Sequence, residues 1–161
     1  MIPTRENTLY LIIKQVHFDA ILAGTKRHEL REIKDTTFAR YLDTWQNGSE
    51  TILYFDKEKI SNEELYKHSN NPMIYNNGVY PYRPIAYKFL ELAVGYSKSR
   101  DTMIVKVEDI HFETIKDKSG NDARFSDVGE RMRIDQQGEL CIWQIVYTLG
   151  KIVETDLKKE R

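Results

Sequence analysis

Leu9, Leu11 and Ile13 lie within an apolar run near the start of the chain, and the run predicts a β-strand over residues 9–14. Phe18, Ile21 and Leu22 then recur at helical spacing up to Gly24, a residue suited to the left-handed turn that stops a helix. The charged run 26–33 reads as a second strand, which sets Glu29 and Arg31 on one face and His28 on the other. A second helix is predicted from Thr37, because Phe38, Tyr41, Leu42 and Trp45 fall at i, i+3, i+4 and i+7 before Asn47-Gly48. Residues 51–55 return to β-branched and aromatic types, and Ser61 with Glu64 forms a capping box for a short helix reaching His68.

Beyond that point the pattern loosens. Residues 69–84 hold prolines and Asn-rich turns, which predicts a long surface loop with Tyr75, Tyr80 and Tyr82 exposed. Residues 85–96 and 102–112 read as two long strands joined by the turn 97–101, and 140–153 supplies a final one or two. In that last segment Cys141, Trp143, Ile145 and Tyr147 alternate as the buried face of a strand should. The polar stretch 116–138, punctuated by Gly120, Gly129 and Gly138, is expected to be a mobile excursion, and 158–161 a frayed, solvated tail. The whole predicts one α+β domain over 1–161, a mostly antiparallel sheet with short flanking helices and loop insertions near 69–84 and 116–138.

Composition narrows the function classes. The 161 residues are 40% hydrophobic and 30% charged, the balance of a folded domain rather than a disordered chain. No apolar run approaches a membrane span and the start lacks a secretory pattern, so a cytoplasmic protein is expected. The single cysteine, Cys141, makes no internal disulfide, and four scattered histidines offer no metal-ligand spacing, so no metal and no cofactor are expected. A net charge of -1 excludes the broad basic surface that grips long duplex nucleic acid, so any nucleic-acid contact must be local.

The string that carries chemistry is Gly24-Thr25-Lys26-Arg27-His28-Glu29-Leu30-Arg31. It puts a lysine at a helix-to-strand turn and a glutamate and an arginine on one strand face behind it. A cationic donor and a carboxylate acceptor can together read the edge of a nucleobase, and the carboxylate can also hold the arginine in place. The plain alternative is a solvated strand edge with a surface ion pair, worth little. Tyr75, Tyr80, Tyr82 and Arg83 could supply planar stacking groups, and Tyr96 and Arg100 with Lys98 could extend a local positive patch around the 97–101 turn.

Residues 18–31, with their short helix followed by Gly-x-Lys-x-x-Glu-x-Arg, resemble the signature of ASCH domains, a group with the PUA-like β-barrel fold. The resemblance covers roughly residues 9–33, and Gly95-Tyr96 and Leu149-Gly150-Lys151 stand in fitting places farther on. It implies a barrel with a cleft at Lys26, Glu29 and Arg31 that binds RNA or a modified nucleoside or nucleotide. Some members of the group hydrolyse an acetylated cytidine and carry threonine three residues after the motif lysine, where this chain has Glu29. A small hydrolase with Lys26 as base and Glu29 in proton transfer is therefore an alternative. A protein-interaction domain using the tyrosine-rich loop is another.

Overall fold

The computed structural model describes residues 1–61, 63, 72, 78–128 and 131–160. Strands dominate, and helix among the described residues amounts to little more than one α-helix and a 3-10 turn, so the class is α+β. In chain order the elements are β1 (Thr8–Ile13), α1 (Gln15–Leu22), β2 (His28–Glu32), the 3-10 turn Phe38–Arg40, β3 (Thr44–Asn47), β4 (Glu50–Leu53), β5 (Phe89–Val94), β6 (Thr102–Thr114), β7 (Arg124–Val128), β8 (Arg131–Ile134), β9 (Leu140–Cys141) and β10 (Trp143–Asp156). Five strands join in the order β1-β5-β6-β10-β2, and among the described residues no pairing of β1 with β2 closes that sheet into a barrel. The chain packs as two compact units, one of residues 1–29, 86–110 and 146–161, the other of 30–85 and 111–145.

In the first unit β1 runs parallel to β5, from Thr8 opposite Phe89 to Ile13 opposite Val94, and β6 returns antiparallel to β5. This one parallel pair stands beside antiparallel ones, within the mostly antiparallel expectation, and it requires the crossover that the chain between β1 and β5 provides. Leu9, Leu11 and Ile13 are buried while Tyr10 is exposed, the period-two burial of a strand with one wet face. Helix α1 lies against β5 and buries Phe18 and Ile21, leaving Val16 in solvent. It stops where the sequence says it should. Gly24 takes φ +80°, and the Thr25 and Lys26 amides both fold back onto the Ala20 carbonyl, at 3.0 and 3.1 Å.

The first two residues of the tail expected to fray, Lys158 and Lys159, are instead tied down. Asp101, 2% exposed, accepts the backbone amides of Lys158 and Lys159 at 2.6 and 2.8 Å on one carboxylate oxygen and the Gln15 side chain at 3.0 Å on the other. A buried carboxylate that collects several N–H donors is a satisfied one, and it fixes the backbone of those last strand-flanking residues.

The second unit overturns three sequence expectations. Residues 37–48 do not form a helix. Only Phe38–Arg40 make a 3-10 turn, and Trp45 lies in β3, opposite Ile52 of β4. Asn47 pairs with Glu50, so Gly48 and Ser49 form a two-residue hairpin turn, and Gly48 at φ +64° supplies the positive dihedral that such a turn demands. The Asn-Gly pair taken for a helix stop is a hairpin signal, and strand pairing wins over a helical spacing that only three or four residues carried. Residues 116–138 are not a mere excursion either. They hold β7 and β8, which join β9 in the antiparallel sheet β8-β7-β9, with turns built on Asp117, which accepts the Ser119 and Asn121 amides, and Asp135, which accepts that of Gln137.

Tyr80 and Tyr82 are buried at 5% and 3%, not exposed. Tyr80 packs with its ring centre 4.3 Å from Phe112, 4.8 Å from Trp143 and 5.3 Å from Tyr82. Burial pushes both phenols above their ordinary titration range. The helix expected over 61–68 and Tyr75 of the expected loop lie outside the described residues, save Ser61 and Glu63. The alternating stripe Cys141, Trp143, Ile145 and Tyr147 is buried throughout, and burial raises the Cys141 thiol to about 11.

Candidate functional site

The chain reaches Lys26 through the turn that ends α1, so the helix stop decides where the ammonium stands. Lys26 Nζ lies 3.3 Å from Glu29 Oε2, and the two side chains are 24% and 4% exposed. This is not the solvated ion pair of the plain alternative. A carboxylate taken that far out of water costs several kcal/mol unless charge and hydrogen bonds compensate, so the lysine beside it matters to the fold as well as to any ligand. Farther along β10, Leu149 donates its amide to the Arg27 carbonyl at 2.8 Å, which brings Leu149 and Gly150 beside the motif. A cavity of about 270 Å³ results, lined by Gly24, Lys26, Arg27, Leu149, Gly150 and the α1 residue Ile21 among others. At Gly150 a Cβ would run into the Glu108 side chain, so the absence of a side chain there keeps strand and carboxylate in close contact.

Burial alternates along β2. Glu29 is buried, His28 and Leu30 are exposed, and Arg31 is half-buried, as the strand assignment predicts. Arg31 belongs to the second unit, where its Nη1 donates to the Leu30 carbonyl at 3.1 Å. The ordering of donor, acceptor and second donor along the turn and strand is therefore local and legible, while the buried state of Glu29 was not foreseen from a charged sequence.

The remaining candidates separate. In the first unit Arg100 donates to the Gly95 carbonyl at 2.9 Å and sits 5.7 Å over the Tyr10 ring, and Tyr96 is 85% exposed beside it. Asp101, next along the chain, is buried and stands outside that surface. In the second unit Tyr82 has no open ring face to offer a base, a correction that follows from its 3% exposure. Arg83 by contrast is half-exposed, paired with Asp43 at 2.8 Å and laid over the Tyr54 ring at 4.3 Å. Trp45 and Tyr54 on the hairpin, both partly exposed, were missed by the sequence reading. The Asn47-Gly48 hairpin signal flanked by Thr44, Trp45, Thr51 and Ile52 was the clue.

Among the described residues no group of three His, Cys, Asp or Glu side chains could hold a metal ion, and no helix is long and apolar enough to cross a membrane. No protein-family model, no curated protein and no solved structure matches the chain.

Proposed function

We propose that the chain is an ASCH-type, PUA-like domain of the cytoplasm that binds RNA or a modified nucleoside or nucleotide at Lys26, Glu29 and Arg31. The observation that carries the reading is the Lys26–Glu29 pair, a donor 3.3 Å from a carboxylate that is nearly out of water, beside a cavity lined by Lys26. A cation and an acceptor held in one low-dielectric place can meet the complementary edge of a base, since each hydrogen bond there is stronger than in water. The motif spacing Gly24-x-Lys26-x-x-Glu29-x-Arg31 and the order strand, short helix, strand give the same direction. Binding of labelled RNA oligonucleotides and of a panel of modified nucleosides tests it, by anisotropy and by calorimetry. Lys26→Ala and Arg31→Ala, each checked for folding by circular dichroism, should weaken binding at least about ten-fold, the scale of a lost charge-assisted contact. Unchanged affinity in both folded variants overturns the site.

The same pair supports a second reading, a hydrolase for an acylated base, because a carboxylate stands 3.3 Å from the Lys26 ammonium, where the two could divide acid and base roles once a substrate draws them together. Incubation with acetylated cytidine decides it, and a rate no faster than that of Lys26→Ala removes it.

A further inference from the structure

We infer that the outer face of the β3–β4 hairpin is a stacking platform for single-stranded nucleic acid, a proposal that rests on the nucleic-acid reading above and gives it a second contact surface. Hairpin register builds this face. Trp45 pairs with Ile52, and the register runs on to Asp43 opposite Tyr54, whose amide donates to the Asp43 carbonyl at 3.2 Å. Asp43, Trp45, Ile52 and Tyr54 therefore share one side of the ribbon, while Leu53, on the other side, is 2% exposed. Trp45 at 41% and Tyr54 at 39% are open to solvent on the shared side.

The third planar group comes from the chain segment beside the hairpin. Pro84 bridges Leu42, the Asp43 amide donates to the Arg83 carbonyl at 2.9 Å, and Tyr82 bridges Phe55, so Arg83 is delivered next to Asp43 by backbone pairing. Its guanidinium is then held twice, by the Asp43 carboxylate at 2.8 Å and over the Tyr54 ring at 4.3 Å, yet its side chain stays 54% exposed. An arginine meant to reach a distant anion would project its N–H groups into solvent. Here Asp43 occupies one edge and a ring lies under one face, which leaves the planar group fixed and partly open. An indole, a phenol and a fixed guanidinium on a shallow strand face suit bases, because every base has a π-face and stacking needs no particular sequence. The charges of Arg83 and Asp43 cancel, so affinity on this face should come from stacking more than from phosphate contacts.

Tryptophan emission tests the proposal on the full chain. Trp143 is 4% exposed, so quenching by an added oligonucleotide reports Trp45. Single-stranded RNA and DNA oligomers of about eight nucleotides, within the usual footprint of such platforms, should both quench it. Trp45→Ala and Arg83→Ala should each weaken binding, followed by anisotropy, about ten-fold or more, the size of one lost stacked base. Trp45→Phe should recover part of that loss, and Arg83→Lys should not, since an ammonium is not planar. Wild-type affinity in folded Trp45→Ala and Arg83→Ala, with binding lost in Lys26→Ala, overturns the platform and leaves the Lys26 site standing. Binding lost in the hairpin variants and unchanged in Lys26→Ala supports the platform and removes the Lys26 site. Absence of quenching by either oligomer, or a concentration-dependent self-association abolished by Trp45→Ala, overturns the platform outright.

Discussion

Glu29 and Asp101 are two buried carboxylates that the structure answers differently. Asp101 is satisfied by backbone amides, a structural solution, whereas Glu29 faces a lysine side chain at the rim of a cavity. Removing that lysine leaves the carboxylate in a low-dielectric site, so Lys26→Ala should lower stability by about 1–3 kcal/mol. Urea unfolding with an unchanged slope checks this, and Lys26→Arg should recover most of the loss. A third acid gives a pH signature. The Lys116 ammonium and then the Thr114 hydroxyl hold the Asp122 carboxyl below its ordinary range. A carboxyl whose folded value is depressed stabilises the fold above its unfolded value, near pH 4, and loses that contribution as pH falls through the lower folded value. Urea midpoints measured from about pH 5 downward should therefore fall less steeply in Asp122→Asn than in the wild type.

At the scale of elements, two glycines of different consequence separate close packing that can yield from packing that cannot. A Cβ at Gly138 would strike the Phe125 carbonyl and stand 2.9 Å from the Ser126 amide nitrogen, both backbone atoms of β7. Gly138→Ala should cost about 1–3 kcal/mol, as overpacking does, and disturb the β8-β7-β9 sheet. At Gly150 the obstacle is the exposed Glu108 side chain, which can swing aside, so Gly150→Ala should cost less than Gly138→Ala. Thermal melts of the two variants side by side decide it. The elements also show what periodicity alone can and cannot say. Strand β1, helix α1 and its Gly24 stop followed from the residues, because each is marked by the period or type of neighbouring residues. The segment 37–48 satisfied a helical spacing and a hairpin turn at once, and the partner residues 50–53 and 81–85 decided between them.

For the molecule as a whole, charge sets the limits on binding. With a net charge of -1, and with Arg83 already neutralised by Asp43, Lys26 and Arg31 remain as candidate phosphate contacts and a bound single strand can lose few counterions. The slope of log affinity against log salt should be shallow, about -1.4 for two phosphate contacts at roughly -0.7 each. A titration across a range of salt concentrations checks this, and a much steeper slope would require a basic surface that the composition does not provide.

The sequence by itself determined the α+β class, the first strand, the helix stop at Gly24, the buried stripe of β10 and the local order of Lys26, Glu29 and Arg31. All of these depend on near neighbours and on the fixed periods of helix and strand. Tertiary structure alone decided that Glu29 is buried, that Tyr80 and Tyr82 face the core, that 158–159 are anchored, and that Trp45 stands on an open hairpin face. Burial and strand pairing are set by residues far away in the chain, and a polar or aromatic side chain carries no local mark of which side of a strand its distant partners will cover.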